Sequence, residues 1–247
     1  LVNKTIKVTV IVPCFNSEKW IKECLLSALN QTYENTEVIF VDNESTDNSY
    51  QIATEIQLKF PNLKISTAKN IYRHSYQEPV EEGLRISSGD YFTILGSDDF
   101  LDREYVSNIV NILNKSDKIL ALQTPIRTIR GKEKIFDQEL SHKYVSLEEF
   151  KKLLFQKCPV NTPSIVLSKK LYTEGLVRWK SDEYLGACDY ELYFNLADKN
   201  IFVYPYPKWI GYYYRWHADQ CTWEMHKENT NFDNKIRKAW RNKWNCN

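Results

Sequence analysis

No run of apolar residues in this chain approaches the roughly 18 to 20 needed to cross a bilayer, and its N-terminus carries no signal-peptide pattern. A cytoplasmic protein is therefore expected. Neither sign of charge is in excess: 33 Lys and Arg stand against 32 Asp and Glu, for a formal net charge of +1. That balance excludes the broad positive field on which nucleic-acid binding depends, so charge can act only locally. Cysteine never occurs as a CxxC pair, and Cys14, Cys24, Cys158, Cys188, Cys221 and Cys246 lie far apart. Such spacing favours reduced thiols over a zinc site or a disulfide framework, although the even count leaves bridges open. No linker rich in Gly, Pro or Ser divides the chain, and 247 residues can bury the core of one large domain.

What is present is an alternation of strand and helix patterns. Lys7 to Val12 is a β-branched run stopped by Pro13, followed by Asn16 and Ser17 as helix-cap candidates and by Trp20, Ile21, Cys24, Leu25, Ala28 and Leu29 at helical spacing. Glu37 to Val41 is a second apolar strand, with a polar turn from Asp42 to Asp47 and then Ile52, Ala53 and Ile56 on one helical face. Two such units in succession predict a parallel sheet with right-handed crossovers. A third strand is expected at Leu63 to Thr67, a helix at Glu78 to Ile86, and a fourth strand at Tyr91 to Leu95, leading into Gly96, Ser97, Asp98 and Asp99. In open α/β sheets the ligand crevice lies outside the carboxyl ends of the strands, so the turns after Val12, Val41 and Leu95 should share one cleft. Beyond Asp99 the pattern predicts a helix near Glu104 to Leu113, a strand near Ile119 to Thr124, a charged loop around Arg130 to Lys134 and a helix from Leu147 to Phe155. A strand at Ser164 to Leu167 and a helix at Tyr190 to Ala197 follow, with Asp189 at the start of that helix. Aromatic-rich strands are expected within Ile201 to Tyr206 and Trp209 to Trp216.

Asp98 and Asp99 form a carboxylate pair where a divalent cation and a diphosphate could meet, since Mg²⁺ and Mn²⁺ often take only one or two protein carboxylates beside phosphate oxygens. The competing reading is a solvated turn whose carboxylates cap the helix that follows. Context favours the first. The segment VTVIVPCFNSEKWIKECLLSALNQTYENTEVIFVDNESTDNS, followed by SSGDYFTILGSDDFLD, closely resembles glycosyltransferase family 2, most densely over the first 115 residues.

That resemblance implies a GT-A fold: an α/β, Rossmann-like, mostly parallel central sheet flanked by helices. It also implies an inverting, metal-dependent transferase that uses Mn²⁺ or Mg²⁺ and a nucleotide-sugar donor, UDP-linked, to modify a glycan or glycolipid acceptor. Pro13, Phe15, Asn16 and Glu18 are expected to line the nucleoside pocket. Asp42 would accept a hydrogen bond from the base, a role that suits an ionised carboxylate, though an Asp there can also simply close a turn. Asp98 is expected on the ribose or donor-sugar side and Asp99 as a direct metal ligand. Asp189, in GACDYELYFNLADKN, resembles the catalytic base, and a helix cap is the alternative. YYYRWHADQ resembles a late strand and loop in which His217 would ligate the metal and Arg215 would contact the diphosphate.

The chain departs from the family pattern in places. Gly96 stands where relatives often have an Asp, VDNESTD replaces the usual VDDGSTD, Cys188 replaces an acid, and Val80-Glu81 replaces an Arg-Asn pair. Arg73, His74 and Arg85 are candidate substitutes for the missing positive contact. These departures keep open a catalytically inactive sugar-nucleotide or carbohydrate-binding module of the same fold. A nucleotidyltransferase would want a Gly-rich basic loop after the first strand, which PCFNSEKW does not offer.

The expected organisation is a GT-A domain over residues 1–222, with a nucleotide-sugar half at 1–115 and an acceptor half at 116–222, followed by an amphipathic helix in 223–247. In that helix Phe232, Ile236, Trp240 and Trp244 recur at i, i+4 among Lys235, Arg237, Lys238, Arg241 and Lys243. Its stripe is expected either to pack on its own domain or a partner subunit, as in a homodimer, or to rest peripherally on an anionic membrane.

Overall fold

The computed structural model describes residues 5–71, 77–130, 134–138, 144–218, 220 and 231–245. The first half runs β1 (Val8–Cys14), α1 (Ile21–Leu29), β2 (Thr36–Asp42), α2 (Ser49–Gln57), β3 (Leu63–Thr67), α3 (Gln77–Ile86) and β4 (Tyr91–Ile94). Then come β5 (Phe100–Leu101), α4 (Tyr105–Leu113), β6 (Ala121–Gln123), β7 (Ile126–Arg130), β8 (Lys134–Gln138) and α5 (Leu147–Leu154). The last part holds β9 (Val166–Ser168), α6 (Lys169–Thr173), α7 (Ser181–Tyr184), α8 (Cys188–Asp198), β10 (Val203–Pro205), β11 (Tyr212–Trp216) and a C-terminal helix, Phe232–Lys243.

The main sheet has the order β10-β6-β9-β4-β1-β2-β3, in which only β9 runs antiparallel to its neighbours. β1 is apolar but for Thr9 because both of its faces are covered. Val8, Val10 and Val12 pack with residues of α1, α2 and α4, whereas Ile11 turns to the other face against Val80 and Leu84 of α3. Gly83 allows that approach, since a Cβ there would stand 2.6 Å from Ile11 Cγ2. Pro13 does not stop the strand as expected. β4 pairs only as far as Ile94 opposite Ile11, so the missing N–H of Pro13 faces a side that has no ladder to lose.

Of three further expectations, the first is corrected, the second gains flanking strands, and the third resolves to one of its two stated outcomes. Asn16 and Ser17 do not cap α1 with their side chains, because a turn over Ser17 to Trp20 intervenes and Trp20 precedes the helix. The charged loop around Arg130 to Lys134 is flanked by an antiparallel hairpin, β7 with β8, in a second sheet of order β5-β11-β7-β8. β7 buries Ile126 and Thr128 on one face and alternates them with the half-buried Arg127 and Ile129, a pattern whose partner strand β11 comes far later in the chain. Lastly, the C-terminal helix turns its apolar stripe inward. Ile236 and Trp240 are buried, the Trp240 ring stacks on Phe194 at 5.6 Å, and Trp244 Nε1 donates to Asp198 at 2.8 Å. Trp240 is thus unavailable to a membrane interface, and the core shared with α5 and α8 continues past residue 222. No helix among the described residues is long and apolar enough to cross a membrane. Cys14, Cys24, Cys158 and Cys188 are not disulfide-bonded, and Cys221 and Cys246 lie outside the described residues.

Candidate active site

The turns at the carboxyl ends of β1, β2 and β4 bond directly to one another. Asn16 N–H donates to Ser45 Oγ (3.0 Å), Asn16 Oδ1 accepts from Thr46 N–H (2.7 Å), and the Ser17 and Ser97 hydroxyls lie 2.7 Å apart. The shared cleft expected from the strand pattern is therefore present. Asn16 (φ 50°) and Glu44 (φ 60°) both hold left-handed backbone, which Asn tolerates and Glu does not favour. Glu44 occupies the Gly position of the family pattern, and its carboxylate accepts from Asn70 N–H at 3.1 Å. Asp42 is buried. Its Oδ2 accepts from Ser45 N–H (3.1 Å), while its Oδ1 has no hydrogen-bond partner among the described residues. Pro13 and Phe15 are half-buried beside this turn. Glu18 is diverted from the nucleoside side, because its carboxylate accepts from Asn48 Nδ2 at 2.8 Å and braces the start of α2.

Asp98 and Asp99, adjacent in sequence, sit in different surroundings. Asp99 is 3% exposed and both oxygens are engaged: Oδ2 accepts from Tyr212 O–H and Oδ1 from Arg215 N–H, each at 2.8 Å. Burial, with Asp98 adding repulsion, holds the Asp99 carboxyl well above the usual carboxylate range. Asp98 keeps 26% side-chain exposure and lies 2.9 Å from His217 Nε2. Gly96 has a steric reason to be Gly, since a Cβ there would come within 2.8 Å of Asp99 Oδ2 and 3.0 Å of Asp98 Oδ1.

Arg215 is likewise a strut. Its Nε donates to the Asp98 carbonyl (2.7 Å), its Nη2 pairs with Glu23 (2.6 Å), and its guanidinium sits 4.5 Å from the Trp20 ring centroid. In this structure the guanidinium is engaged by the Asp98 carbonyl, Glu23 and Trp20. Arg85 pairs with Glu82 at 2.8 Å near the end of α3, close to the starts of the strands and away from the cleft. Arg73 and His74 lie outside the described residues.

No group of three or more His, Cys, Asp or Glu side chains converges among the described residues. The protein offers one carboxylate and one imidazole. That donor set fits a divalent ion whose remaining positions are filled by phosphate oxygens and water.

Asp189 lies inside the first turn of α8, one residue past its start, so it is not the N-cap residue. Thr162 Oγ1 donates to its Oδ2 (2.5 Å) and Tyr190 N–H to its Oδ1 (2.7 Å). Burial raises its pKa, and the Thr162 hydrogen bond only partly offsets this. Thr162 belongs to a single 3-10 turn, Thr162–Ser164, that packs beside β4 and β11, the strands leading to Asp98 and His217. Sequence reasoning missed Tyr212 and Tyr193. The hydroxyl-rich YYY run was the only cue to Tyr212, nothing local marked Tyr193, and Thr162 lies in the NTPSIVLSKK segment, which resembles the acceptor-side strand and loop of relatives.

The chain matches the profile of glycosyl transferase family 2 over residues 9–176. It belongs to that family. Asp189 and His217 fall beyond the matched segment. An uncharacterized glycosyltransferase of Haemophilus influenzae is 27% identical over 94% of this chain and 72% of its own length. A poly(ribitol-phosphate) beta-glucosyltransferase of Bacillus spizizenii is 30% identical over 47% of this chain but 18% of its own length. Most of the curated relatives compared extend well beyond the region they share with this chain. Among solved structures, S. aureus TarS in complex with UDP-GlcNAc superposes with a TM-score of 0.75 and 20% identity, over 95% of this chain and 65% of that one. A mannosyltransferase from Pyrobaculum calidifontis in complex with GDP-Man and Mn²⁺ gives a TM-score of 0.62 at 20% identity, over 95% and 61%. The α/β architecture with a mostly parallel, helix-flanked sheet is the GT-A fold.

Proposed function

We propose that the protein transfers a sugar, with inversion, from a UDP-linked donor to a hydroxyl of a glycan or glycolipid acceptor in surface polysaccharide synthesis. The observation that carries this reading is the 2.9 Å pairing of Asp98 with His217 at the cleft formed by the turns of the parallel sheet. In this reading Asp98 and His217 would hold a divalent cation, Mn²⁺ or Mg²⁺, which when bound would supply positive charge beside the diphosphate. Asp99, Tyr212 and Arg215 hold Asp98 in place.

Asp42 supplies an ionised oxygen for a base N–H. Because that oxygen is buried, the turn from Asp42 to Asp47 must shift to admit the base. Pro13, Phe15 and Asn16 flank the nucleoside. Asp189 takes the proton of the acceptor hydroxyl as its oxygen attacks the anomeric carbon and the bond to the diphosphate breaks. The UDP-GlcNAc complex of one structural neighbour and the Mn²⁺ complex of another support the donor class and the ion.

The test is to incubate the protein with a panel of nucleotide sugars and Mn²⁺ and to measure nucleoside diphosphate release. Release by wild type that is lost in Asp98→Ala and in His217→Ala is expected. Nucleotide binding without release from any donor would instead identify an inactive binding module.

A further inference from the structure

Asp189 is held by a chain of hydrogen bonds that begins deep in the second half of the core. Tyr193, one turn further along α8, is fully buried, and its hydroxyl donates to Thr162 Oγ1 at 2.9 Å. Burial drives the Tyr193 phenol far above its ordinary range, so it stays protonated and keeps a hydrogen to donate to Thr162. A hydroxyl that accepts from Tyr193 has one hydrogen to give, and Thr162 gives it to Asp189 Oδ2 at 2.5 Å. The polarity of the chain is thereby set from Tyr193 through Thr162 to the carboxylate.

Thr162 itself is anchored outside α8. In its turn, Ser164 Oγ donates to the Thr124 carbonyl at 2.6 Å and accepts from Thr124 N–H at 3.2 Å. Asn161 N–H donates to Gln123 Oε1 at 3.0 Å, and Thr93 of β4 donates to the Ile165 carbonyl at 3.0 Å. The Asp189 carboxylate is thus referenced to β4 and β6 as well as to its own helix.

We propose that Thr162 is a positioning residue for the catalytic base: it fixes the Asp189 carboxylate relative to the cleft and passes on the hydrogen bond of Tyr193. This rests on the reading of Asp189 as the base. The β-branched Thr side chain has few rotamers, so its hydroxyl is held in place more firmly than that of Ser. The titratable groups facing Asp189 are Tyr193 on its own helix, Cys158 before the turn and Asp233 of the C-terminal helix, the last of which opposes ionisation of Asp189.

The test uses the whole protein and needs no donor. The Asp189 carboxyl is titrated by ¹³C NMR in wild type, Thr162→Val, Thr162→Ser and Tyr193→Phe. Losing a donor to the charged form should raise the Asp189 pKa by about one unit in Thr162→Val. Thr162→Ser should restore it, and Tyr193→Phe should move it the same way by less. The acidic limb of nucleoside diphosphate release should shift in parallel. An unchanged Asp189 titration in folded Thr162→Val, or a Ser variant as shifted as Val, overturns the proposal. Should Thr162→Val not fold, an unchanged titration in Tyr193→Phe overturns it equally. Asp189→Asn separates the two levels of inference. Full turnover in that variant removes the base and the positioning role together, whereas an inactive Asp189→Asn beside an unshifted Thr162→Val removes only the positioning role.

Discussion

Replacing Glu37 by Gln should cost about 3 kcal/mol of stability at neutral pH while leaving sugar transfer intact. Glu37 sits on β2 at the end of the sheet opposite the cleft, and its side chain is only 4% exposed. It accepts from Lys64 Nζ (2.6 Å), Thr9 Oγ1 (2.7 Å), Ser88 N–H (2.8 Å) and Ser88 Oγ (2.9 Å), tying together β1, β2, β3 and the turn before β4. Burial alone would raise its pKa, but the bonds from Lys64, Ser88 and Thr9 outweigh burial and bring it from 4.5 down to about 2. At 1.36 kcal/mol per unit this difference corresponds to about 3 kcal/mol.

Because the folded-state value is depressed, that contribution is fully present above the unfolded value of 4.5 and fades as the pH falls through about 2. For a chain of 247 residues, an unfolding entropy of about 0.5 kcal/mol/K converts the loss to a drop in Tm of roughly 6 °C. Denaturant melts of wild type and Glu37→Gln across pH 2 to 8 provide the assay. The two curves should lie apart at pH 7 and converge toward pH 2. Equal stability at pH 7, or a gap that persists to pH 2, would refute the reasoning, and a large fall in kcat would show that the two ends of the sheet are not separable.

The two carboxylates of the acidic turn should respond differently to the same change. Asp98→Asn should lower nucleoside diphosphate release about 100-fold or more with little change in Tm, since Asn can keep a hydrogen bond to His217 and eases the repulsion on Asp99 while the charge offered to the donor site is lost. Asp99→Asn should leave thermal stability at pH 7 equal or raised: a folded-state pKa above the unfolded one means that stability is lost as pH rises, and Asn removes that loss. Tyr212→Phe leaves a buried Asp99 oxygen without its donor and should destabilise by about 1 to 3 kcal/mol in denaturant melts. Turnover should fall on acidification at a higher pH than an ordinary carboxylate would dictate, because Asp189 must be ionised and burial raises its pKa; a pH–rate profile reads this directly. Trp240→Ala should cost about 3 to 5 kcal/mol by chemical denaturation, as expected for a core aromatic and not for a surface anchor.

The parallel half of the sheet and the convergence of its turns were legible in the amino-acid order alone. Strands buried on both faces are continuous apolar runs, and each was followed at once by its helix and turn, so every signal was local. Pro13, Asn16, Asp42 and Asp98 could be assigned to one cleft for that reason. The order of residues could not say which of Asp98 and Asp99 faces the cleft, because adjacent side chains at a strand end point in different directions. That choice is made by Tyr212 and Arg215, more than a hundred positions away, whose O–H and N–H claim one carboxylate and leave its neighbour to His217. Contacts distant in sequence likewise placed the β7–β8 hairpin beside β11, diverted Arg215 to Glu23 and Trp20, and turned the C-terminal helix inward. Each depends on which surface a segment meets after folding, and local periodicity carries no record of that.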